Sequence, residues 1–267
     1  PAVLGSEAAG VVEEVGESVS GVRPGDRVAY AGVVGAYAQA RLIRADRLVP
    51  LPADISDRTA AAMMLKGMTA QYLLRRTCRI EPGNFVLIHA AAGGVGLIAC
   101  QWAKHLGATV IGTVSTGEKA ALARDHGCDH PIVTSREGFV TRVREITGGQ
   151  GVRVVYDSAG KDTFDGSLDC LQPLGMMVSY GNSSGPVAPI SPLVLSAKGS
   201  LFLTRPTLMT YTARREDLLT TASELFDVVR SGAVRIEIRQ TYPLAEAARA
   251  HRDLEARRTT GSTVLLP

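Results

Sequence analysis

HAAAGGVGLIACQWAKHLGATVIGTVSTGEK, residues 89–119, decides the fold. The apolar run FVLIH at 85–89 reads as a strand, AAAGGVG as a turn, GVGLIACQWAKHLG at 94–107 as a helix and ATVIGTV at 108–114 as a second strand. Glycine lets a backbone turn tightly and approach a ligand without a side chain in the way. The N-terminus of the following helix presents N–H groups and positive dipole to a phosphate. A strict GxGxxG pattern is not met: Ala91 takes the first glycine position, Gly93 and Gly96 follow, and Gly94 is an additional small residue. Such a turn alone also suits a purely structural strand-to-helix connection. Its place inside a βαβ unit favours the nucleotide reading, in which the turn is expected to hold a pyrophosphate.

The rhythm of this stretch continues outward. HPIV, VRVVYD, GMMVSYG and SLFLT read as further strands, with TGEKAALARDHG, EGFVTRVREITGG and FDGSLDCLQ as the helices between them. Strand runs without polar alternation are expected where helices cover both faces of a parallel sheet. The fold class is therefore α/β, a doubly wound parallel sheet. Before it, AAGVVEEVG, RPGDRVAY and GAYAQARLI read as short strands broken by Gly and Pro, followed by helix over 56–76. After Pro206 come a helix at 214–231, a strand in IEIRQTYPL, a helix in AEAARAHRDLEAR and a last strand TVLLP.

Bulk properties narrow the class. The chain has 267 residues, 45% hydrophobic and 21% charged, which is enough for one large core or two moderate ones. A net charge of +3 with both signs interspersed argues against a nucleic-acid surface. Four scattered cysteines and five scattered histidines offer neither a disulfide framework nor ligand spacing for zinc, and fit reduced thiols in the cytoplasm. No apolar run approaches the ~20 residues that span a bilayer, so no membrane partner is expected.

The second strand should end beside the adenosine ribose of a bound dinucleotide, where an acidic residue would accept bonds from the ribose hydroxyls and repel a 2′-phosphate. Ser115, Thr116 and Lys119 stand there instead. Hydroxyls and one cation suit a phosphate, so the cofactor read from these residues is NADPH. The other reading makes Ser115 and Thr116 the N-cap of the next helix, and the same groups can serve both purposes.

Taken together, HAAAGGVGLIACQWAKHLGA, GTVSTGEK, ITGGQGVRVVYDSAGKDTFDGSLDCLQ, SYGNSSG, LTRPTL and LGSEAAGVVEEVG followed by GDRV closely resemble the zinc-independent NADPH:quinone oxidoreductases of the medium-chain dehydrogenase/reductase superfamily, over nearly the whole chain. The resemblance implies a GroES-like β-barrel catalytic domain from residues 1–66 and 206–267, a Rossmann NADPH-binding domain from 67–205, and an active site in the cleft. It also implies contacts to the cofactor. Tyr72 lines the cofactor cleft, Gly93, Gly94, Val95 and Gly96 hold the pyrophosphate, and Ser115, Thr116, Lys119 and Arg257 form the 2′-phosphate pocket. Tyr180, Gly181, Asn182 and Ser183 lie along the cofactor, with Phe202, Leu203 and Thr204 near the nicotinamide. Arg257 also reads as a surface helix residue beside Arg249, Arg252 and Arg258. Relatives commonly pair as homodimers through the Rossmann sheet edge, for which SLFLT is the candidate strand.

Two departures qualify this. Where the family commonly has Tyr in an INYR segment of the adenosine phosphate pocket, this chain has IVTSR with Thr134 at that position. Arg136, two residues on, reads either as a substitute charge or as an exposed helix start. Family members also have further strands before the LGSEAAG segment, so the barrel is expected to be N-terminally truncated, with exposed sheet edges and apolar surface. Ser6 stands where the zinc-dependent relatives have the His of GHE, so no metal is expected and Glu7 reads as a structural carboxylate. Tyr30 and Tyr37 read either as lining of the acceptor side or as ordinary core or rim residues of half-buried strands, and are not counted in the site.

No catalytic residue is named. Hydride transfer to a quinone yields a stabilised phenolate that water can protonate, so positioning and water exclusion suffice. An enoyl or other activated-alkene reductase is the alternative enzyme. A non-catalytic NADPH-binding protein, as among structural or RNA-associated relatives, is the alternative of another class.

Overall fold

In the computed structural model, which describes residues 3–256 and 258–267, the chain leaves one compact unit, builds a second and returns to the first. The units are Pro1–Thr69 with Leu208–Pro267, and Ala70–Thr207. Arg257 lies outside the described residues.

The first unit opens with β1 (Glu7–Val11), β2 (Arg27–Ala31) and the short β3 (Val49–Pro50), an antiparallel sheet in the order β1-β2-β3. Glu7 pairs with Ala31 and Val28 with Pro50. Val28, Tyr30 and Leu48 form its core, packed by Val12, Val22, Ala36 and Ile43. The segment GAYAQARLI at 35–43, expected as a strand, is irregular. Gly35 has φ +112°, and the N–H groups of Gly35 and Ala36 both donate to the Gly5 carbonyl, curling the chain instead of extending it. Ala36, Ala38 and Ala40 supply the alternation but not the side-chain bulk that holds a strand on a sheet. Val11, Val15 and Leu42 line a cavity of about 710 Å³ beside this sheet.

α1 (Asp57–Tyr72) starts where the Ser56 hydroxyl accepts the Thr59 N–H at 3.1 Å, an N-cap. It continues as a π-turn over Leu73–Thr77. The wider turn is supported by the Tyr156 hydroxyl, which donates to the carbonyls of Leu73 at 3.0 Å and Cys78 at 3.2 Å.

The second unit runs β4 (Phe85–Ile88), α2 (Gly94–His105), β5 (Thr109–Val114), α3 (Gly117–Asp125), β6 (His130–Val133), α4 (Phe139–Ile146), β7 (Val152–Asp157), α5 (Phe164–Cys170), β8 (Leu171–Ser179), α6 (Leu193–Ala197) and β9 (Phe202–Thr204). All six strands are parallel, in the order β6-β5-β4-β7-β8-β9. The order reverses between β4 and β7, the switch point at which doubly wound sheets bind ligands beyond their strand ends. Leu87, Ile111, Ile132, Val155 and Met177 from successive strands meet Val143, Phe164 and Leu168 in one core. Each such aliphatic side chain contributes roughly 2 kcal/mol by its burial.

The chain re-enters the first unit through α7 (Leu208–Tyr211) and α8 (Arg215–Arg230), then adds β10 (Ile238–Pro243), α9 (Ala247–Glu255) and β11 (Ser262–Leu266), with β10 and β11 parallel. Gly67 in α1 is explained here. A Cβ on it would lie 2.5 Å from the Leu225 side chain of α8, so the glycine is a packing notch between two helices. No helix among the described residues is long and apolar enough to cross a membrane. All four cysteines are free and buried.

Candidate nucleotide-binding site

The end of β4 is shaped by steric exclusion. Ala90 has φ +54°, a left-handed conformation that costs a residue with a Cβ about 1 kcal/mol and bends the strand sharply into the turn. The Ala91 N–H donates to the Thr113 carbonyl at 3.0 Å and anchors the turn on β5. A Cβ on Gly96 would lie 2.3 Å from the Ala90 carbonyl oxygen and 2.7 Å from that of Ala91, so only glycine lets the first turn of α2 sit on the strand end. Gly93 is the N-cap, with extended backbone, and the Leu97 N–H donates to its carbonyl. Helix geometry leaves the N–H groups of Gly94, Val95 and Gly96 without intrahelical acceptors, aimed out of the helix start. Ala91 in place of the first glycine is accommodated by Gly112 of β5, where a Cβ would meet the Ala91 Cβ at 2.6 Å. Sequence reasoning did not single out that glycine, although a Gly inside the apolar run TVIGTV marks a close approach.

The ends of β5 and β6 lie side by side, Val114 registered with Val133. Ser115 and Thr116 are exposed there and no carboxylate stands at 115–117. The Thr116 hydroxyl caps α3, accepting the Lys119 N–H at 3.3 Å. The Thr134 hydroxyl donates to the Val114 carbonyl at 3.2 Å, and the Ser135 hydroxyl to the Ser115 carbonyl at 3.2 Å. Thr134 therefore fastens one strand end to the next.

Beyond β7, Asp157 is the hub. Fully buried, it accepts the N–H groups of Ala159 at 2.7 Å and Gly160 at 3.0 Å and the Thr163 hydroxyl at 2.8 Å. Its carbonyl accepts the N–H of Tyr180 at 2.8 Å, drawing in the segment after β8. A Cβ on Gly181 would lie 2.5 Å from the Ser158 carbonyl oxygen, and the Ser183 N–H donates to that same carbonyl at 3.1 Å. Tyr180, Gly181, Asn182 and Ser183 are thus laid against the loop that follows β7. Burial pushes the Tyr180 phenol up, opposed by a hydrogen bond with Ser158 and reinforced by Tyr72, Asp157 and Cys100. Tyr72 is buried at the end of α1, and Tyr180 remains a neutral phenol. Asp157 was not anticipated as a site-building residue; the signal was an acid closing the apolar run VRVVYD.

Beneath the turn, His89 is buried between the hydroxyls of Thr113 and Ser167, each 2.9 Å from a ring nitrogen, with Phe139 edge-on. Burial lowers its pKa from 6.5 to about 4, against the pull of Asp157.

Strand β9 stands three strands from β4 at the sheet's outer edge. Phe202 is 55% and Leu203 38% exposed, and Thr204 closes the strand on the same end of the sheet as the turn. In the first unit, Glu7 accepts the Leu65 N–H at 2.8 Å with one oxygen and pairs with Lys66 through the other. Ser6 offers no imidazole, and among the described residues no group of three His, Cys, Asp or Glu is placed to hold a metal ion. Tyr37 bonds His251, hydroxyl to Nε2 at 3.0 Å, and Tyr30 is buried beneath the Arg41 guanidinium.

The strand ends thus gather helix N–H groups, a hydroxyl-lined shelf with no acidic residue directly at the end of β5, and a loop laid flat along the switch point. Those features fit a phosphorylated dinucleotide. Comparison with known proteins agrees. A zinc-binding dehydrogenase family model matches residues 94–226, and an alcohol dehydrogenase GroES-like domain model matches residues 1–53. The whole chain aligns at 56% identity with a quinone oxidoreductase of Pseudomonas aeruginosa, covering 82% of it. It aligns at 52% identity with a 2-haloacrylate reductase of Burkholderia sp, covering 81% of that protein. Among solved structures, Escherichia coli quinone oxidoreductase complexed with NADPH superposes with a TM-score of 0.97 at 52% identity, over 100% of this chain and 83% of that one. The chain belongs to the quinone oxidoreductase family of the medium-chain dehydrogenase/reductase superfamily.

Proposed function

We propose that the chain is an NADPH-dependent quinone reductase. The observation that carries the cofactor assignment is the end of β5. There Ser115 and Thr116, with Lys119 one turn on, stand where a carboxylate would repel a 2′-phosphate, next to a turn in which only glycine fits at position 96. Bound NADPH supplies a hydride to the acceptor. The residues of this chain bind and orient it. The N–H groups of Gly94, Val95 and Gly96 take the pyrophosphate, and the loop Tyr180, Gly181, Asn182 and Ser183, fixed by Asp157, borders the path to the nicotinamide. We assign Tyr72 and the neutral Tyr180 to the lining of that path. We assign cofactor binding to residues 67–205 and the acceptor side to 1–66 with 206–267, and Arg257 to the phosphate pocket.

A quinone needs no strong acid from the protein, because the phenolate formed on hydride addition takes its proton from water. Orientation and exclusion of bulk water are what the fold must provide. A second reading is favoured by one observation, the 52% identity to a 2-haloacrylate reductase. An activated alkene accepts hydride at carbon by the same geometry. The test is NADPH consumption with a benzoquinone and, separately, with 2-haloacrylate. Faster turnover of the quinone supports the proposal; turnover of the haloacrylate alone replaces it. We further propose a cytoplasmic homodimer, supported by four unpaired buried thiols and by the apolar outer edge of β9.

A further inference from the structure

We infer that Arg136 binds the 2′-phosphate of NADPH and sets the preference of this chain for the phosphorylated cofactor. The inference rests on the cofactor reading above and adds a residue to it. Parallel pairing of β5 with β6 puts residues 134–136 beside residues 115–117, and the bonds of Thr134 to Val114 and of Ser135 to Ser115 fix that juxtaposition. The Arg136 N–H donates to the Val133 carbonyl at 2.9 Å, which turns the segment back on itself. The guanidinium then reaches over the start of α3. Its Nη2 lies 3.8 Å from the position a Cβ would take on Gly117, the first residue of that helix.

This is an unfavourable place for a lone cation. A helix N-terminus carries positive partial charge, and Lys119 adds a second cation one turn on. Two carboxylates are near, Glu118 in the first turn of α3 and Glu137 beyond the end of β6, but neither forms an ion pair with Arg136 among the described residues. Glu137 accepts the Val133 N–H at 3.4 Å and lies 4.0 Å from Arg142. Neither the Arg136 guanidinium nor the Lys119 ammonium has a hydrogen-bond or ion-pair partner among the described residues. Two unpaired cations and a helix start around a shelf of hydroxyls are resolved by one group, a phosphate monoester, which the planar guanidinium engages with two parallel N–H bonds. The Thr134 hydroxyl is already committed to the Val114 carbonyl, so the charge-assisted donor at this strand end is Arg136.

The test is the affinity of the full chain for NADPH and NADH, and for 2′-AMP as a probe of the phosphate alone, in the unsubstituted protein and in Arg136→Gln and Arg136→Lys. Loss of a charge-assisted contact is worth on the order of tenfold or more in affinity. Arg136→Gln should weaken NADPH and 2′-AMP by about that factor and leave NADH unchanged, with Arg136→Lys recovering part of the loss. NADPH binding unaltered in Arg136→Gln, in a protein that still prefers NADPH to NADH, overturns this inference alone. Equal affinity of the unsubstituted chain for both cofactors overturns it together with the cofactor reading. Arg136 is exposed, so the substitution leaves the fold intact, and an unchanged melting temperature verifies this.

Discussion

His89 shows how far a single residue can tie the site to the solvent. Its two ring nitrogens meet Thr113 and Ser167, and burial holds it neutral down to a pKa of about 4, against 6.5 in the unfolded chain. Between those values the unfolded state binds a proton that the folded state does not, so stability falls as pH drops from 6.5 towards 4 and levels off below. The full difference is roughly 3 kcal/mol. Denaturant unfolding across that range should show His89→Gln with a shallower acid slope than the parent; an identical slope would remove His89 from the account. The sequence did not disclose this residue's role, because a histidine at a strand end has no local pattern and its partners are 24 and 78 residues away. Asp157 was hidden for the same reason: its importance lies in the loops it gathers. The places of Gly93, Gly96, Ser115, Thr116 and Lys119 at a turn and at helix starts were readable because they are set locally, by a strand, a turn and a helix in succession.

At the scale of elements, periodicity carried the parallel sheet. Runs such as FVLIH and TVIGTV are apolar because both of their faces are covered, and each became a buried strand. The misread element, residues 35–43, had alternation without bulk and a glycine at positive φ. The turn between β4 and α2 is the element on which the site depends most. A methyl at Gly96 would press on two backbone oxygens at 2.3 and 2.7 Å, neither of which can rotate away. Gly96→Ala should therefore displace the helix start, destabilise the chain by about 1–3 kcal/mol and weaken NADPH at least tenfold. A variant that melts and binds like the parent would mean that the turn is not held by this contact.

For the whole molecule, an excursion of the chain from one compact unit into a second and back was legible only through the likeness of several separated motifs to one family. No local signal tells a strand near residue 10 that it shares a unit with one near residue 264. Association belongs to this scale as well. The outer edge of β9 presents Phe202 and Leu203 beside an unpaired strand edge, a surface that self-association would cover. Analytical ultracentrifugation should find two chains per particle and Phe202→Asp one; an unsubstituted chain that sediments as a monomer refutes the dimer.

The central claim, that these strand ends hold NADPH for reduction of a quinone, is tested most directly by titrating the chain with NADPH and NADH and then following nicotinamide oxidation with and without added benzoquinone. The account predicts tighter binding of NADPH and oxidation that requires the quinone. Preference for NADH, or bound NADPH that no quinone oxidises, would contradict it.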